Sequence, residues 1–269
     1  QDNVKLTGTF YTGEGSDGGF GIGTEEIVND GSGWSIAADT YWFDEALRLR
    51  GEYAQAEFDF DGKDQGFSAE TSDAYSLLAA VEPLRGETLG DSYFNWTISA
   101  KREVVDTFFQ SLANPSLVPD RESTLIETNF FWDEFTAFAS VEHLLSNVDG
   151  YDYLPTDRFY NFKFKGSYTP FVELEEDGSL PWYGQPFFGI DAELNETDRI
   201  ERSVDNPSDD ANNSSRVLTF SLGSNYETWY WNLSHTLYSY EDHLGNFSDR
   251  RDNFTSVSAS FQVNDWLRL

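Results

Sequence analysis

Three aspartates, Asp59, Asp61 and Asp64, surround Gly62 and are of a residue type suited to bind a cation, as are Asp205, Asp209 and Asp210. Carboxylate oxygens are the ligands that Ca²⁺ prefers in proteins. The spacing departs from that of an EF-hand loop, which also requires a glutamate at a fixed later position. The sequence therefore offers Asp59, Asp61 and Asp64 as a candidate site for Ca²⁺ or another divalent cation, with a solvated acidic loop as the alternative.

Catalytic chemistry has little support in the sequence. The three histidines, His143, His235 and His243, are far apart along the chain. Ser239 and Ser248 lie near His243, but nothing indicates a third catalytic group or an oxyanion hole. The chain has no cysteine, which removes thiolate nucleophiles and thiolate metal sites. The sequence predicts no enzymatic activity and no bound cofactor beyond a divalent cation on acidic loops.

Composition narrows the classes of protein that remain. A formal net charge of −31 argues against nucleic-acid binding, which requires a basic surface. Aromatic residues make up 17% of the chain, too many for a disordered acidic polymer. No run of 18 apolar residues occurs, so the sequence predicts no transmembrane helix. A soluble β-protein and a membrane β-barrel both remain open.

Apolar and polar residues alternate with a period of two along most of the chain, which is typical of strands with two different faces. The clearest segment is 217–224, where Leu218, Phe220 and Leu222 alternate with Thr219 and Ser221. The pattern predicts a single all-β domain over residues 1–269. The predicted strands lie near 4–12, 33–42, 46–58, 73–82, 92–103, 122–131, 135–143, 158–168, 186–194, 217–225, 228–239, 252–262 and from 266 onward.

The connections between the predicted strands alternate between short and long. Short ones lie at 43–45, 132–134, 226–227 and 264–265, with an intermediate one at 83–91; long ones lie at 13–32, 59–72, 104–121, 144–157, 195–216 and 240–251. Segment 169–185 is the exception, because it is long but falls on the short side. Sorting by length in this way is typical of antiparallel up-and-down membrane barrels, with short periplasmic turns and long extracellular loops. Aromatic residues near the predicted strand ends favour the same architecture: Tyr11, Trp34, Trp42, Tyr93, Trp132, Tyr168, Trp229, Tyr238 and Trp266.

The strand–turn–strand unit from Arg251 to Leu267 resembles those of outer-membrane β-barrel proteins of Gram-negative bacteria. The resemblance extends over nearly the whole chain and rests on pattern rather than on a diagnostic motif. It implies an antiparallel transmembrane β-barrel in the cell outer membrane, in contact with lipid and lipopolysaccharide. Such barrels generally have an even number of strands, so we expect about 14 strands or more in the intact protein. We therefore expect further sequence after Leu269 and do not exclude more before Gln1.

Charged residues opposite the apolar positions are predicted to line a polar interior. They are Arg48, Arg50, Glu52, Lys101, Lys163, Lys165, Asp191 and Glu193. Segment 104–121 is unusually apolar for an exposed loop and contains Phe108, Phe109, Leu112 and Leu117. We expect this loop either to fold inward and narrow a pore, to meet a partner protein, or to pack against neighbouring loops. Segment 170–186 is a candidate contact for a periplasmic protein.

Three functions remain open from the sequence. The first is a porin-like channel that passes small solutes, with acidic loops favouring cations and lumen arginines and lysines opposing that bias. The second is a barrel that anchors a cell-surface or secretion assembly. The third is a soluble, secreted β-sandwich that binds carbohydrate through exposed aromatic side chains. The sequence identifies neither a transported solute nor a partner.

Overall fold

A computed structural model describes residues 3–14, 30–59, 69–110, 117–264 and 267–268 of the chain. Within these residues the chain is all-β, and no helix is long and apolar enough to cross a membrane. The strands are β1 (Val4–Glu14), β2 (Asp30–Trp42), β3 (Leu47–Asp59), β4 (Glu70–Leu89), β5 (Ser92–Val105), β6 (Arg121–Trp132), β7 (Phe135–Leu145), β8 (Thr156–Tyr168), β9 (Gln185–Glu201), β10 (Asn212–Asn225), β11 (Trp229–Asp242), β12 (Arg250–Asn264) and the two-residue β13 (Leu267–Arg268).

The strands form one antiparallel up-and-down sheet in which each strand pairs with its neighbours in sequence order. The predicted all-β, antiparallel, up-and-down organisation is therefore confirmed. Among the described residues β1 pairs only with β2, and β13 only with β12, so the sheet has two open edges. Because each strand reverses direction, successive connections alternate between the two ends of the sheet.

The two ends carry connections of different length, as the sequence predicted. Strands are joined at one end by short turns at 43–46, 90–91, 133–134 and 226–228, and at the other by long connections such as 106–120 and 202–211. The turn at 43–46 is tight enough that Phe43, Asp44 and Glu45 all have positive φ. Segment 169–184 is long yet lies at the short-turn end, which confirms the predicted exception.

The two faces of the sheet differ because alternate side chains of a strand point to opposite sides. One, here called the apolar face, exposes aliphatic and aromatic side chains from successive strands: Leu6, Phe10, Ile36, Leu77, Ile126, Val141, Phe162, Phe220 and Val257. The opposite side, here called the polar face, carries most of the charged and hydroxyl side chains. Paired charges interrupt the apolar face near the long connections, where Arg158 bonds Asp198 at 2.6 Å.

Several predicted strand limits were wrong. β4 continues through Pro83 to Leu89, where 83–91 was predicted to be a connection. Its pairing with β5 shifts between Val81 and Leu84 and again between Arg85 and Glu87, so proline occupies a bulge, where its missing N–H costs no ladder bond. β9 continues to Glu201 and β10 already begins at Asn212. The connection between them is therefore 202–211 and not the predicted 195–216.

Candidate pore wall and loop 106–120

The eight residues predicted to line a polar interior all lie on the polar face. Arg48, Arg50 and Glu52 belong to β3 and Lys101 belongs to β5. The other four, Lys163, Lys165, Asp191 and Glu193, belong to the adjacent strands β8 and β9. The eight predicted residues therefore form two separate groups on the polar face, one on β3 to β5 and one on β8 and β9. In each group the register of the strands places the charged side chains near one another.

The charged residues of the polar face, with the polar side chains bonded to them, are here called the wall residues. Ion pairs between neighbouring strands connect several of them. Arg48 Nη2 lies 2.7 Å from Asp39 Oδ2 on β2. On β8 and β9, Lys165 Nζ is 3.1 Å from Asp191 Oδ2, and Lys163 Nζ is 3.8 Å from Glu193 Oε1. Their side chains stay partly exposed, so they are hydrated and their pairing contributes little to stability. Charges that contribute little to stability remain available to interact with a solute.

Strands β3 to β5 arrange positive and negative side chains in two parallel rows. Arg50 pairs in register with Leu78, which pairs with Lys101. One step closer to the long connections, Glu52 and Glu103 occupy the matching positions on β3 and β5. Arg50 bonds Glu52 at 2.9 Å, and Lys101 bonds Glu103. Since strands lie about 4.8 Å apart, like charges in each row are roughly 10 Å apart.

The described ends of loop 106–120, residues 106–110 and 117–120, fold over the polar face at the end of these rows. The ring of Phe109 is only 3% exposed and packs with Ala56, Ala74 and Val105, which form the buried apolar cluster of the described residues. Leu117 packs against the same cluster. Since Ala56 and Ala74 share the polar face with Arg50 and Glu52, the loop lies over the charged wall.

Not all of the loop's predicted apolar residues act together. Phe108 turns from the cluster toward the neighbouring connection, where its ring lies 5.3 Å from that of Tyr151. Leu112 lies outside the described residues. The apolar residues of the loop therefore do two things: Phe109 and Leu117 cover part of the polar face, and Phe108 packs against an adjacent connection, which was one of the three roles considered from sequence.

Carboxylates fix the loop at its base. The Asp73 N–H donates to Asp106 Oδ2 at 2.7 Å, and the Asp106 N–H donates to the Asp73 carbonyl at 3.0 Å. Asp120 Oδ1 accepts from Thr107 Oγ1 and from the Val148 N–H, both at 2.9 Å. These bonds join the loop both to β4 and to the connection 146–155.

The surroundings of Asp106 disfavour the ionised form of its carboxyl group. Burial raises the pKa of its carboxyl group, and the nearby charges of Asp149 and Asp73 raise it further, while the hydrogen bond from the Asp73 N–H opposes the rise. Asp149 is held close by its own bond, in which Oδ2 accepts from the Thr107 N–H at 2.9 Å. The base of the loop is therefore held by groups whose charges repel each other.

A cavity of about 510 Å³ lies between the loop and the wall. The side chains that line it include both charge rows and both buried loop residues: Tyr11, Arg50, Glu52, Lys101, Glu103, Phe109 and Leu117. It offers cationic, anionic, hydroxyl and apolar surface within one volume, a combination that suits small hydrophilic solutes.

Sequence reasoning missed several wall residues. Glu103 lies two positions after Lys101 and could have been assigned to the same face from alternation alone. Asp39 required the register between β2 and β3, which single-strand patterns do not contain. Asn161, whose Nδ2 donates to Glu193 Oε1 at 3.1 Å, was not predicted because only charged residues were considered for the polar interior.

The candidate cation site falls largely outside the described residues. Asp61 and Asp64 lie there, and Asp59 ends β3 opposite Asp30 of β2. Among the residues that the structure describes, no group of three or more histidine and acidic side chains is arranged to hold a metal ion. The cation site remains a prediction.

Comparison of the chain with protein-family models, with curated proteins and with solved structures finds no match in any of the three.

Proposed function

We propose that this chain forms the wall of an outer-membrane β-barrel channel that passes small solutes, with loop 106–120 narrowing its lumen. The observation that carries the proposal is the pairing of a contiguous apolar face with a hydrated, charged face over which a loop is folded. An apolar face of this extent requires a cover in water, and lipid provides one. The charged face then becomes a solvent-filled lumen.

The outward distribution of side chains supports a bilayer as the cover. The middle of the apolar face carries aliphatic side chains together with Phe162 and Phe220, and tryptophan and further aromatic side chains gather at its short-turn end. There Phe94 stacks on Trp132 at 5.8 Å and Trp229 stacks on Phe261 at 5.6 Å. Aromatic rings at the level of lipid headgroups flank the apolar zone in membrane barrels.

Selectivity follows from two sets of charges that act at different ranges. The net charge of −31 favours cations at the mouth, an effect that salt screens within a Debye length of about 8 Å at physiological ionic strength. Inside the wall, Arg50 and Lys101 stand beside Glu52 and Glu103, so attraction to either sign of charge is local. The expected channel is weakly cation-selective at low salt and loses that preference as salt rises.

Planar-bilayer conductance of the detergent-extracted protein tests the proposal. The expected result is stepwise conductance from a protein that fractionates with outer membranes and changes its gel migration on boiling. Membrane association without conductance would instead favour the anchor role. A protein that stays monodisperse in plain buffer would contradict both roles and favour the soluble carbohydrate-binding alternative.

A further inference from the structure

The C-terminal end of segment 169–184, the long connection at the short-turn end, lies against the apolar face. The Ser224 hydroxyl donates to the Tyr183 carbonyl at 2.5 Å. By register, Ser224 pairs with Pro186 and Trp231 and shares its face with Phe220 and Leu222. Its side chain is only 2% exposed. The end of the segment therefore covers a position on the face that otherwise exposes apolar side chains.

Local backbone geometry fixes this contact. Gly184 has φ +67°, a conformation that residues with a Cβ rarely adopt, and its N–H donates to the Pro181 carbonyl at 2.8 Å. A Cβ at this position would lie 2.6 Å from both Ser224 Oγ and the Asn225 carbonyl oxygen. The chain thus approaches β10 as closely as a glycine allows, and the turn from Pro181 to Gly184 leaves both residues between them, Trp182 and Tyr183, exposed.

The segment presents large apolar side chains instead of burying them. Trp182 is 88% exposed, Phe171 is 77% exposed and Leu174 is 59% exposed. Such exposure contrasts with Phe109 of loop 106–120, which is buried. Three large apolar side chains left exposed on one short segment indicate a surface that another apolar phase covers.

The exposed side chains continue the aromatic group on the adjacent strands. Tyr168, which immediately precedes the segment, lies 6.5 Å from Phe188 in a stacked arrangement. Tyr226, which a Cβ at Gly184 would contact, stacks on Trp229 at 4.2 Å. The segment therefore joins two parts of the aromatic zone that the proposed function places at one membrane surface.

The negative charge of segment 169–184 indicates which class of lipid headgroup it could contact. Glu173, Glu175, Glu176 and Asp177 are exposed, and the segment contains no lysine or arginine. Hydrogen bonds from Ser179 lower the pKa of the Asp177 carboxyl, so this group stays ionised on the aqueous side. An anionic membrane surface would repel four carboxylates, whereas zwitterionic headgroups would not.

We propose that segment 169–184 is an in-plane membrane anchor, with Trp182, Phe171 and Leu174 in the headgroup–acyl boundary of a zwitterionic phospholipid leaflet. The inference rests on the proposed membrane function. Lipid is the occupant because the end of the segment next to Trp182 packs on the apolar face, so a protein partner would have to reach Trp182 beside the surface that lipid would cover. A basic periplasmic protein is the alternative that the test must separate.

The absence of cysteine makes single-site labelling direct. The Trp182→Cys variant carries an environment-sensitive fluorophore and is reconstituted into phosphatidylethanolamine–phosphatidylcholine vesicles. Nitroxide lipids then quench from inside the bilayer, and iodide quenches from the water. Leu222→Cys on the apolar face is the membrane control, and Ser208→Cys on connection 202–211 is the aqueous control. Phe171→Cys provides a second position in the segment.

The expected result is that headgroup-level nitroxide quenches the labels at 182 and 171 at least twofold more than it quenches the label at 208. Lipid quenching at 222 with iodide quenching at 182 and 171 would overturn the anchor and leave the membrane barrel intact. Protection of 182 only after addition of a periplasmic protein would also overturn it. Iodide quenching at all four positions would contradict the membrane function itself.

Discussion

Loop 106–120 and segment 169–184 are two connections of nearly equal length that place one large aromatic side chain each, Phe109 and Trp182, in opposite environments. The loop lies on the polar face and buries Phe109 to 3% exposure. The segment contacts the apolar face at its C-terminal end and leaves the neighbouring Trp182 88% exposed. Under the proposed function, a connection that faces the aqueous lumen must make its own apolar contacts, whereas a connection beside the lipid-facing surface can leave aromatic rings to the lipid.

The carboxylates of the two connections also differ, because those of the loop bond to other segments and Asp177 of the segment bonds within its own turn. Asp106 and Asp120 accept bonds from other segments and hold the loop in place. Asp177 accepts bonds only from Ser179 within its own turn among the contacts that the structure describes. The loop is thus a built part of the wall, and the segment contacts the sheet mainly through its two ends. Four variants can break or sharpen this comparison.

The largest effect is expected from Phe109→Ala. Removing a buried phenylalanine ring costs about 3–5 kcal/mol, which is enough to release the loop from Ala56, Ala74 and Val105. Single-channel conductance should rise, and amide hydrogen exchange at 106–110 should accelerate. Phe171→Ala is the matched control, since its exposed ring should leave thermal stability in detergent unchanged. Equal behaviour of the two variants would remove the contrast between the connections.

Gly184→Ala should have the next largest effect, and it acts on the other connection. The added methyl group would meet Ser224 Oγ and the Asn225 carbonyl at 2.6 Å, and alanine would be strained at φ +67°, so we expect a cost of about 1–3 kcal/mol. Gly178→Ala is the control, because it shares a positive φ but has nothing within 4 Å of its Cβ. Thermal unfolding in detergent should separate them; equal losses would show that the contact with β10 is unimportant.

The paired substitution Arg50→Gln and Lys101→Gln tests the wall rather than the connections. It removes the positive row beneath loop 106–120 and leaves Glu52 and Glu103. With about 1 kcal/mol per charge at contact distance in water, the cation-to-anion permeability ratio should rise about fivefold. Reversal potentials in a salt gradient measure it. Arg102→Gln, one residue from Lys101 but on the apolar face, should leave the ratio unchanged.

Asp106→Asn should produce the smallest effect, with a distinct pH dependence. The folded-state pKa of Asp106 is raised, so its proton stabilises the loop at low pH and that contribution is lost as pH rises through the raised pKa. The asparagine oxygen still accepts from the Asp73 N–H but carries no charge. The variant should stabilise the loop at neutral pH by under about 1 kcal/mol and by less in acid. Hydrogen exchange of the loop amides at both pH values measures this, and greater stabilisation in acid would refute the assignment.

The sequence predicted strands well where the two faces differ in polarity. In Leu218, Phe220 and Leu222 the alternation identifies both the strand and its face. It fails from Asn195 to Glu201 and from Asn212 to Arg216, where polar residues occupy both faces and the period of two disappears. Those residues pair as regular strands because backbone hydrogen bonds do not depend on which side chains alternate.

An aromatic residue's position near a strand end does not tell which face of the sheet it occupies; its place in the alternation along the strand does. Trp42, Trp132, Tyr168 and Trp229 lie on the apolar face as the aromatic pattern suggested, but Tyr11, Tyr93 and Tyr238 lie on the polar face. Tyr11 consequently lines the cavity. The burial of Phe109 and the exposure of Trp182 could not be separated from sequence, because both residues sit in apolar, proline-containing connections.

The central claim is that one face meets lipid and the other meets water. Single cysteines placed in turn at 218–222 of β10, in a chain with no native cysteine, test it by reaction with a membrane-impermeant thiol reagent in lipid vesicles. We predict that 219 and 221 react and that 218, 220 and 222 do not. Uniform reactivity along the strand would contradict a membrane barrel with an aqueous lumen.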